Sequence, residues 1–489
     1  MRIVVVSNRL PFVIVPAPDG GWVVEPGSGG LVTALRPVLE NRHGCWIGWT
    51  GATNEEVPRA GEILANPENR FGFELVPVTL TASERDDFYF GFSNEILWPL
   101  FHDQPSVCRF EPRFWLAYEA VNRMFAETTA ARVGPDDFIW VHDYHLMAMA
   151  GKLRAMGVRS RIAFFLHIPF PPLDMFVKLP WRFHLLRALI EYDLIGFQTA
   201  RDRRNFFQCV RALLRGARIL SQGPVATVHL HDRHIRVGVF PISIDFSEFA
   251  RRASEEQAMA KARNLRADEP DRKIVLGVDR LDYTKGIPEK LNAFRSMLRR
   301  FPDLKGRVTL IQVVVPSREE IPGYLEQKTT IERLVSEING EFTRSGWVPI
   351  HYIYRGLDAM RLPAYYLAAD VALVTPLKDG MNLVAKEYCA CRVDEQGSLV
   401  LSEFAGAAAQ LQHGAFLVNP FDVEGVAGAL ERACQLPSEE QRSRMRRLRK
   451  AVRDYDIYRW MDAFLEAAIA KDLSDFPKNH EAIPEVVFS

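Results

Sequence analysis

Short apolar runs rich in Val, Ile and Phe alternate along the chain with longer stretches whose apolar positions recur at helical spacing. This alternation is typical of βαβ units that build a parallel sheet. Because it occurs in both halves, it predicts an α/β fold with two Rossmann-like domains. The predicted strands are Ile3–Val6, Phe138–Val141, Ile162–Leu166, Leu194–Gly196, Ile274–Val278, Val308–Val315, Val371–Val374 and Leu399–Leu401. Helices are predicted at Arg113–Phe125 and Ile287–Arg299.

The length of 489 residues exceeds what one hydrophobic core usually sustains, so it favours two domains. We predict the boundary within Val237–Ser247, where a last strand and a proline turn lead into a new unit. The N-terminal domain is then expected at residues 1–238 and the C-terminal domain at residues 239–455. Residues 456–489 are expected to form a helix that packs back on the N-terminal domain.

The charge balance adds little bias, since 61 Lys and Arg residues face 61 Asp and Glu residues. Such a chain has no general preference for nucleic acid or an anionic membrane, so any anion binding must be local. The apolar run at the start is too short for a signal peptide or a membrane span, which favours the cytoplasm. The six cysteines are scattered without a C-x-x-C pair, so neither a disulfide framework nor a zinc site is expected.

Polar residues directly follow several of the predicted strands. Open parallel sheets bind ligands at the carboxyl ends of their strands, so these residues are candidates for a ligand site. Because they come from both halves, we expect the two sheets to face each other across a shared polar cleft. The segments are Ser7–Arg9, His142–His145, His167, Asp279–Arg280, Ser317–Arg318 and Lys378–Gly380.

The segment after the fifth predicted strand has the features of a diphosphate site. Pro288 suits the first turn of a helix, which places Lys285 at the positive end of that helix with Arg280 nearby. Two cations at a helix start would hold a diphosphate. The alternative is that Arg280 forms a surface ion pair with Asp279 or Asp282.

The segment that begins with Gly380 is a second candidate for anion binding. Glycine allows a tight turn, after which Leu383 and Val384 would offer backbone N–H groups to an anion. Glu387 lies four residues beyond Leu383, so a helix would place its carboxylate one turn away, where it could hold the two hydroxyls of a ribose. The alternative is that Glu387 is a favourable partner of the helix dipole.

A hexose attached to such a diphosphate needs directional hydrogen-bond partners, and Asp379 and His167 have the right chemistry. His167 precedes prolines that force an irregular turn, although a lone histidine can also be a packing residue. No metal is expected, because the only D-x-D pattern, Asp454–Asp456, lies in a helical stretch with no strand before it. Arg280 and Lys285 are then the candidates that neutralise a leaving diphosphate.

These residues belong to longer motifs spread over nearly the whole chain. The motifs are Ser7–Arg9, Gly29–Leu31, Trp46–Trp49, Trp140–His145, Leu166–Pro171, Arg280–Gly286 and Asp379–Glu387. Together they resemble the trehalose-6-phosphate synthases, retaining glycosyltransferases of family 20 with the GT-B fold. The resemblance implies that UDP-glucose and glucose 6-phosphate give α,α-trehalose 6-phosphate and UDP, without a cofactor, in a homo-oligomer.

The resemblance also implies the roles of individual residues. Those implied in donor binding are Gly30, His167, Arg280, Lys285, Leu357, Asp379, Gly380, Met381, Asn382, Leu383, Val384 and Glu387. Gly30 would lie in a loop that closes over the donor. Those implied in acceptor binding are Arg9, Tyr89, Trp98, Asp143 and Arg318. The residues implied in catalysis are Asp143, His167, Arg280, Lys285 and Asp379.

Several alternatives stay open. The family is described as using a front-face substitution in which no side chain is a nucleophile, but a double displacement through Asp143 is the alternative chemistry. Tyr354–Leu357 lies where the family reads the nucleobase, and it leaves UDP-, GDP- or ADP-glucose open. Rival functions are a synthase with another acceptor, such as glucosylglycerol-phosphate synthase, and a non-catalytic sugar-phosphate sensor. A dinucleotide-dependent dehydrogenase is disfavoured, because no G-x-G-x-x-G follows the first strand.

Two further features bear on the product and on the closing loop. The chain has no aspartate-x-aspartate-glycine-threonine motif of a fused phosphatase, so trehalose 6-phosphate rather than trehalose is the expected product. The segment Leu10–Ser28 is longer than in the shortest family members, so the closing loop is expected to differ from theirs.

Overall fold

The computed structural model describes most of the chain. The described residues are 2–16, 22–26, 32, 35–36, 39–40, 43–57, 60–64, 72–220, 224–267, 271–318, 321–358, 360–470, 473 and 476. Gly30, which we expect in the closing loop, lies outside the described residues.

As far as the described residues are concerned, the chain forms two compact units. Unit 1 comprises Met1–Pro241 together with Arg459–Asn479, and unit 2 comprises Ile242–Tyr458. The predicted α/β fold with two sheets is confirmed, and each unit contains one sheet in which parallel pairing dominates.

The sheet of unit 1 has the strand order β5-β4-β1-β6-β7-β8-β11-β10-β9. From β5 to β11, as they stand in this order, neighbouring strands pair in parallel. Strand β10 is antiparallel to both of its neighbours, β11 and β9. The central strands are buried on both faces, which explains their continuous apolar runs. The strands of unit 1 are β1 Ile3–Arg9, β2 Phe12–Pro16, β3 Trp22–Pro26, β4 Cys45–Thr53, β5 Glu74–Leu80, β6 Phe138–His142, β7 Arg161–Phe165, β8 Leu194–Phe197, β9 Arg218–Leu220, β10 Val225–Leu230 and β11 Arg233–Val239.

The sheet of unit 2 is parallel throughout, in the order β14-β13-β12-β15-β16-β17. Its strands are β12 Lys273–Arg280, β13 Val308–Val315, β14 Ile350–Tyr354, β15 Val371–Val374, β16 Ser398–Ser402 and β17 Phe416–Val418. From β12 the sheet extends in one direction through β13 and β14 and in the opposite direction through β15, β16 and β17. Such a switch point is where open parallel sheets bind ligands.

The helices connect the strands of both sheets. They are α1 Ala60–Leu64, α2 Ala82–Glu84, α3 Trp98–Phe101, α4 Pro112–Ala130, α5 Met149–Ala155, α6 Leu173–Phe176, α7 Arg182–Leu189, α8 Ala200–Leu213, α9 Phe246–Ala253, α10 Glu256–Ala267, α11 Ile287–Arg300, α12 Pro322–Phe342, α13 Leu362–Ala368, α14 Leu383–Cys391, α15 Ala408–Leu411, α16 Val423–Gln435, α17 Ser438–Asp454 and α18 Ile457–Ile469. A π-helix spans Arg85–Leu97, and single 3₁₀ turns occur at Pro105–Val107, Tyr144–Leu146, Tyr283–Lys285 and Pro302–Leu304. Within the described residues, no helix combines the length and the apolar character that crossing a membrane requires.

The last helix, α18, packs its aromatic face on the sheet of unit 1. Trp460 lies 5.3 Å from Trp140 and 5.1 Å from Phe165, measured between ring centroids. Phe464 stacks on Trp140 at 4.5 Å. Each aromatic ring buries a large apolar area, so this cluster ties helix α18 to β6 and β7.

The predicted strands agree with the structure to within a few residues at their ends. The hairpin of β2 and β3 lies within the segment that we expect to be longer than in short relatives. The predictions miss β2 to β5, β9, β10, β14 and β17, and they reach β11 only at its end, Val237–Val239, as the last strand before the proline turn. Glycines interrupt the apolar run of β4 at Gly48 and Gly51, so its sequence does not read as a continuous strand.

Candidate functional site

In unit 2, a lysine and an aspartate from two separate strand ends form an ion pair. Lys285 follows β12 and Asp379 follows β15, and Nζ of Lys285 lies 2.6 Å from Oδ2 of Asp379. Asn382 Nδ2 donates to the same carboxylate oxygen over 3.1 Å. Both charged side chains are largely buried. We call Lys285, Asp379 and Asn382 the Lys285 cluster; a largely buried ammonium attracts an anion more strongly than one in bulk water.

The turn before helix α11 fixes the position of Lys285. Pro288 lies in the first turn of the helix, as predicted, and Gly286 precedes the helix with a φ of 63°. A Cβ atom on Gly286 would lie 2.7 Å from the carbonyl oxygen of Thr375, so the close approach requires glycine. The positive end of α11 therefore lies next to Lys285 in the chain.

Helix α14 begins immediately after the Lys285 cluster. Asn382 is its N-cap, and Oδ1 of Asn382 accepts from the backbone N–H of Ala385 over 3.4 Å. Leu383 and Val384 are the first two residues of the helix, where backbone N–H groups have no intrahelical acceptor. A cluster with an ammonium group thus adjoins two such N–H groups, which is the arrangement that anions bind.

Glu387 lies one turn into α14, and a tyrosine holds its carboxylate. The hydroxyl of Tyr366 donates to Oε2 of Glu387 over 2.7 Å. Burial raises the pKa of Glu387, and the hydrogen bond from Tyr366 opposes this shift. Because a carboxylate accepts up to four hydrogen bonds, the bond with Tyr366 leaves capacity for a ligand diol.

Asp282 is surrounded by cations. Its Oδ1 accepts from the backbone N–H and the hydroxyl of Thr284, over 3.0 and 2.8 Å. Burial alone would raise the pKa of Asp282, but Arg318, Lys285 and Arg280 lower it below its usual value. The buried carboxylate therefore stays ionised at neutral pH and attracts all three cations.

Tyr324 links Arg318 to this carboxylate. Nη1 of Arg318 donates to the hydroxyl of Tyr324 over 2.7 Å, and the hydroxyl donates to Oδ2 of Asp282 over 3.3 Å. The guanidinium itself lies 3.8 Å from the same oxygen, and the Arg318 side chain is only 8% exposed. Tyr324 comes from helix α12, so tertiary packing holds the arginine in place.

Asp279, the other proposed partner of Arg280, belongs to the core of unit 2. Lys290 Nζ lies 2.5 Å from Oδ2 of Asp279, and Gln312 Nε2 donates to the same oxygen over 2.9 Å. All three side chains are buried. Arg280, in contrast, ends β12 with its side chain exposed, within electrostatic reach of Asp282.

In unit 1, Arg9 ends β1 and lies over two aromatic rings. Its guanidinium carbon is 4.1 Å from the ring centroid of Trp49 and 5.4 Å from that of Tyr89. Gly51, with a φ of 97°, makes room for it, because a Cβ atom there would lie 1.6 Å from Nη1 of Arg9. We call Arg9, Trp49, Gly51 and Tyr89 the Arg9 cradle. Aromatic faces orient a guanidinium without neutralising its charge.

Tyr89 lies on the π-helix, which is a rare conformation and often found at functional sites. Asn94 Nδ2 donates to the carbonyl oxygen of Tyr89 over 2.7 Å, and the hydroxyl of Tyr144 donates to Oδ1 of Asn94 over 2.9 Å. Tyr144 belongs to the polar segment after β6. The π-helix is therefore fixed to the carboxyl end of the sheet.

Trp98 and Asp143 both adjoin Tyr144, Trp98 through a ring contact and Asp143 as the preceding residue. The Trp98 ring packs 5.8 Å from the Tyr144 ring, measured between centroids. Asp143 adopts a φ of 74° and a ψ of 167°, a region that is strongly disfavoured for residues with a side chain. Its Oδ1 accepts the backbone N–H of His167 over 3.2 Å. The structure thus brings Tyr89, Trp98 and Asp143 into one connected network.

His167 is paired with a second histidine, and its side chain is half-buried. Nδ1 of His142 and Nε2 of His167 are 3.2 Å apart. Burial lowers the pKa of His167 to about 3, and burial together with the His167 ring lowers the pKa of His142 well below its usual value. Both rings are therefore neutral at neutral pH.

Backbone strain is concentrated among these candidates. Seven non-glycine residues of the described chain have a positive φ, and they include Asp143, Arg318 and Asn382. Each such conformation costs about 1–3 kcal/mol and persists where the surrounding structure enforces it. Strain at three candidate residues favours a functional site over ordinary loops.

The remaining donor candidates lie on fixed loops. Gly380 is buried against Gly406, where a Cβ atom would lie 1.9 Å from the carbonyl oxygen of Gly380. Met381 is also buried, and its carbonyl accepts the backbone N–H of Ala407 over 2.8 Å. Leu357 follows β14 with a half-buried side chain.

The described part of the chain contains no group of three or more His, Cys, Asp or Glu side chains that could hold a metal ion. The Asp454–Asp456 pattern lies where α17 ends and α18 begins. All six cysteines are free thiols.

Several residues of these networks had no role in the sequence interpretation. They are Trp49, Gly51, Asn94, Tyr144 and Tyr324, while Asp282 was considered only as an ion-pair partner of Arg280. Most of them lie in or beside the quoted motifs, which is a usable signal. Tyr324 has no such signal, because it reaches Asp282 from a helix 42 residues further along the chain.

Comparison with known proteins gives a consistent result. The family model described as glycosyltransferase family 20 matches residues 1–470. A trehalose-6-phosphate synthase from Mycolicibacterium gilvum is 44% identical over 492 residues, which cover 98% of this chain and 95% of the relative.

Two solved structures are similar over nearly their whole length. One is a UDP-forming α,α-trehalose-phosphate synthase from Burkholderia xenovorans in complex with glucose 6-phosphate, with a TM-score of 0.86, 35% identity, and coverage of 96% of this chain and 100% of the other. The second is a trehalose-6-phosphate protein from E. coli bound with UDP-2-fluoro glucose, with a TM-score of 0.86, 35% identity, and coverage of 96% and 99%.

Proposed function

Since the chain belongs to glycosyltransferase family 20, we propose that it transfers glucose from UDP-glucose to glucose 6-phosphate. The products are α,α-trehalose 6-phosphate and UDP, with retention at the anomeric carbon. The observation that carries the proposal is the preorganised cation at the strand ends of each unit, Arg9 in the Arg9 cradle and Lys285 in the Lys285 cluster. Two phosphorylated substrates require two such sites.

In unit 2, the donor diphosphate binds Arg280, Lys285 and the backbone N–H groups of Leu383 and Val384. The Lys285 ammonium now contacts Asp379, and a diphosphate would share this ammonium with the carboxylate. The ribose hydroxyls bind the second carboxylate oxygen of Glu387, because the first already accepts the hydrogen bond from Tyr366. The remaining residues implied in donor binding by sequence are assigned to glucose and base: Gly30, His167, Leu357, Asp379, Gly380, Met381 and Asn382.

In unit 1, the phosphate of the acceptor binds Arg9, and its sugar binds Asp143. Tyr89 and Trp98 line the acceptor site, and Arg318 of unit 2 adds a second cation to the phosphate. Tyr324 and Asp282 support this role of Arg318, because they hold its guanidinium in one orientation. We accordingly assign acceptor binding to residues 1–238, donor binding to residues 239–455, and a supporting role to residues 456–489.

The reaction is a front-face substitution. The bond from C1 of glucose to the β-phosphate oxygen breaks, the bond from C1 to the acceptor oxygen forms, and the acceptor proton passes to the departing phosphate oxygen. Lys285 and Arg280 stabilise the charge that develops on this phosphate. Electrostatic stabilisation by fixed groups is usually the largest single contribution to catalysis. No side chain is a nucleophile, and no metal or cofactor takes part.

The proposal is tested by a matrix of UDP-, GDP- and ADP-glucose against glucose 6-phosphate and glycerol 3-phosphate, with NMR identification of the products. We expect UDP-glucose with glucose 6-phosphate to give the α,α-linked disaccharide phosphate at the highest rate. Lys285→Ala protein, purified in the same way, controls for contaminating enzymes. A glycerol-linked product would establish the rival synthase, and binding of glucose 6-phosphate without release of any nucleotide would establish the sensor.

Two further predictions concern the surroundings of the enzyme. We propose that it works in the cytoplasm, which six free thiols support, since disulfides are common in oxidising compartments.

We also propose a homo-oligomer, which light scattering of the purified chain tests directly.

A further inference from the structure

The two histidines that follow β6 and β7 share one hydrogen bond between their rings. His142 is the last residue of β6 and lies opposite Phe165 of β7 in the parallel register. The ring centroids of His142 and His167 are 5.4 Å apart, and the hydrogen bond joins Nδ1 of His142 to Nε2 of His167. The contact identifies the two nitrogens that share the hydrogen bond, but not which of them carries the proton.

One proton lies between these two nitrogens. A neutral imidazole has one N–H donor and one acceptor nitrogen, and burial keeps both rings neutral. Either His142 donates from Nδ1, so that His167 carries its own proton on Nδ1, or His167 donates from Nε2, so that its Nδ1 is an acceptor. The two arrangements give His167 opposite hydrogen-bonding characters at Nδ1.

The outer nitrogen of His142 distinguishes the two arrangements. Nε2 of His142 is buried and has no hydrogen-bond partner among the residues that the structure describes. It is a bare lone pair if His142 donates from Nδ1, and an N–H group if His142 accepts there. Among backbone groups, buried N–H groups without a partner are rarer in native proteins than buried carbonyl oxygens without one, and we apply the same order to the ring nitrogens. The arrangement in which His142 donates is therefore favoured.

Trp140 supports the same arrangement. It lies two residues before His142 on the same face of β6, with ring centroids 4.8 Å apart. Its indole Nε1, which can donate but not accept, is also buried without a partner within the described ranges. A lone pair on Nε2 of His142 is compatible with a neighbouring N–H dipole, whereas a second N–H group would be repelled by it.

We propose that His142 is a positioning residue, which donates from Nδ1 to Nε2 of His167 and so holds His167 in the tautomer that presents an Nδ1–H donor to the sugar of the donor substrate. The sugar contact rests on the proposed function, whereas the tautomer does not. His142 touches no substrate in this scheme and acts through His167.

The surroundings of His167 keep its ring in this orientation. Its backbone N–H donates to Oδ1 of Asp143, and its ring packs against the Phe165 ring in a T-shaped arrangement with centroids 4.7 Å apart. Phe165 is in turn packed by Trp460 of helix α18. The hydrogen bond from His142 is then the feature that selects between the two tautomers of this packed ring.

The direct test is nitrogen NMR of the intact wild-type chain labelled with [15N]histidine, recorded at pH 7.5. Two-bond proton–nitrogen correlations report which ring nitrogen carries the proton. We expect both His142 and His167 to show the Nδ1–H pattern, with His167→Gln used to assign the signals. An Nε2–H pattern for His167 in the wild-type chain would overturn the proposal without reliance on any variant folding.

Two substitutions test the role of His142. His142→Phe keeps an aromatic ring but removes the donor, so the His167 signals should shift to a mixture of tautomers. His142→Asn keeps an N–H group near the position of Nδ1, so it should restore the Nδ1–H pattern. An unchanged His167 tautomer in a folded His142→Phe protein would contradict the proposal.

Kinetics separate positioning from simple destabilisation. His142→Phe should raise the KM for UDP-glucose about tenfold, as expected for the loss of one hydrogen bond, while the KM for glucose 6-phosphate stays unchanged. His142→Asn should recover most of this loss, and equal losses for both substrates would contradict the proposal. If the tautomer is as proposed but no donor yields product, the proposed function fails and the role of His142 in setting the tautomer stands.

Discussion

The Arg9 cradle of unit 1 and the Lys285 cluster of unit 2 hold their cations by different means. Arg9 lies over the faces of Trp49 and Tyr89, whereas Lys285 forms an ion pair with Asp379. Aromatic faces orient a cation and leave its full charge, while a carboxylate cancels most of it. A phosphate that binds at Lys285 must therefore compete with Asp379, whereas within the described residues no carboxylate is paired with Arg9.

The two modes of holding a cation predict which substitutions impair binding in each unit. In unit 1 the position of the cation depends on shape, since Gly51 and the two rings define the space for the guanidinium. In unit 2 it depends on charge, since Asp379 and Asp282 attract Lys285 and Arg318. Changes of shape should impair the Arg9 cradle, and changes of charge should impair the Lys285 cluster.

The largest effect is expected for Lys285→Ala. It removes a fixed cation from the leaving diphosphate, so kcat/KM for UDP-glucose should fall about 10²–10³-fold, as for loss of one stabilising donor elsewhere. Lys450→Ala is the matched control, because Lys450 is an exposed lysine of the same unit that pairs with Asp454. Steady-state release of UDP measures both variants, and a loss of less than threefold for Lys285→Ala would remove the cluster from the reaction.

Much of the donor half-site could be predicted from local sequence. Pro288 and Gly380 mark helix starts and turns, so the placement of Lys285 and Leu383 at helix N-termini follows from chemistry within a few residues. The alternation of apolar runs likewise predicted the two sheets. These are features that depend on neighbours in the chain.

The rest depends on contacts between distant segments. Tyr324 reaches Arg318 from a long helix, and Asn94 sits on a π-helix that no helical periodicity distinguishes from an α-helix. The hydrogen bond between His142 and His167 likewise joins residues that lie 25 positions apart in the chain. Tertiary packing creates these relations, so a single sequence does not reveal them.

Arg318→Ala should give the second largest effect. A hydrogen-bonded guanidinium contributes about 10–100-fold to the binding of a phosphate, so the KM for glucose 6-phosphate should rise by about this factor. Tyr324→Phe should raise it less, because the cation stays but loses its orienting hydrogen bond.

Arg333→Ala controls for the loss of an arginine on unit 2, since Arg333 lies exposed on helix α12 and pairs with Glu337. Initial rates at varied acceptor concentration give both constants. If Arg318→Ala impaired UDP-glucose instead, Arg318 would belong to the donor half-site.

Gly51→Ala tests whether shape governs the Arg9 cradle. The new methyl group would overlap Nη1 of Arg9, so the guanidinium must move and the KM for glucose 6-phosphate should rise about tenfold. Gly157→Ala is the matched control, because Gly157 of the same unit also has a positive φ but nothing within 4 Å of the added Cβ. Equal effects of the two variants would mean that backbone strain, and not the position of Arg9, is responsible.

Glu387→Gln should have the smallest effect. The amide keeps the size of the side chain but replaces an acceptor oxygen, so the Kd of UDP should rise about three- to tenfold through a weaker ribose contact. Glu439→Gln changes an exposed glutamate in the first turn of helix α17, and it controls for a general loss of helix-dipole stabilisation. Calorimetry with UDP measures both, and undiminished affinity of Glu387→Gln would leave only the dipole role.

The two substrates depend on different principal cations, Lys285 for the donor diphosphate and Arg9 for the acceptor phosphate. Calorimetry of Arg9→Ala and Lys285→Ala with two ligands tests this directly: UDP alone, and glucose 6-phosphate in the presence of saturating UDP. We predict that Lys285→Ala weakens UDP at least about tenfold, and that Arg9→Ala leaves UDP unchanged while weakening glucose 6-phosphate by a similar factor. Weaker UDP binding by Arg9→Ala with undiminished binding of glucose 6-phosphate would contradict the account.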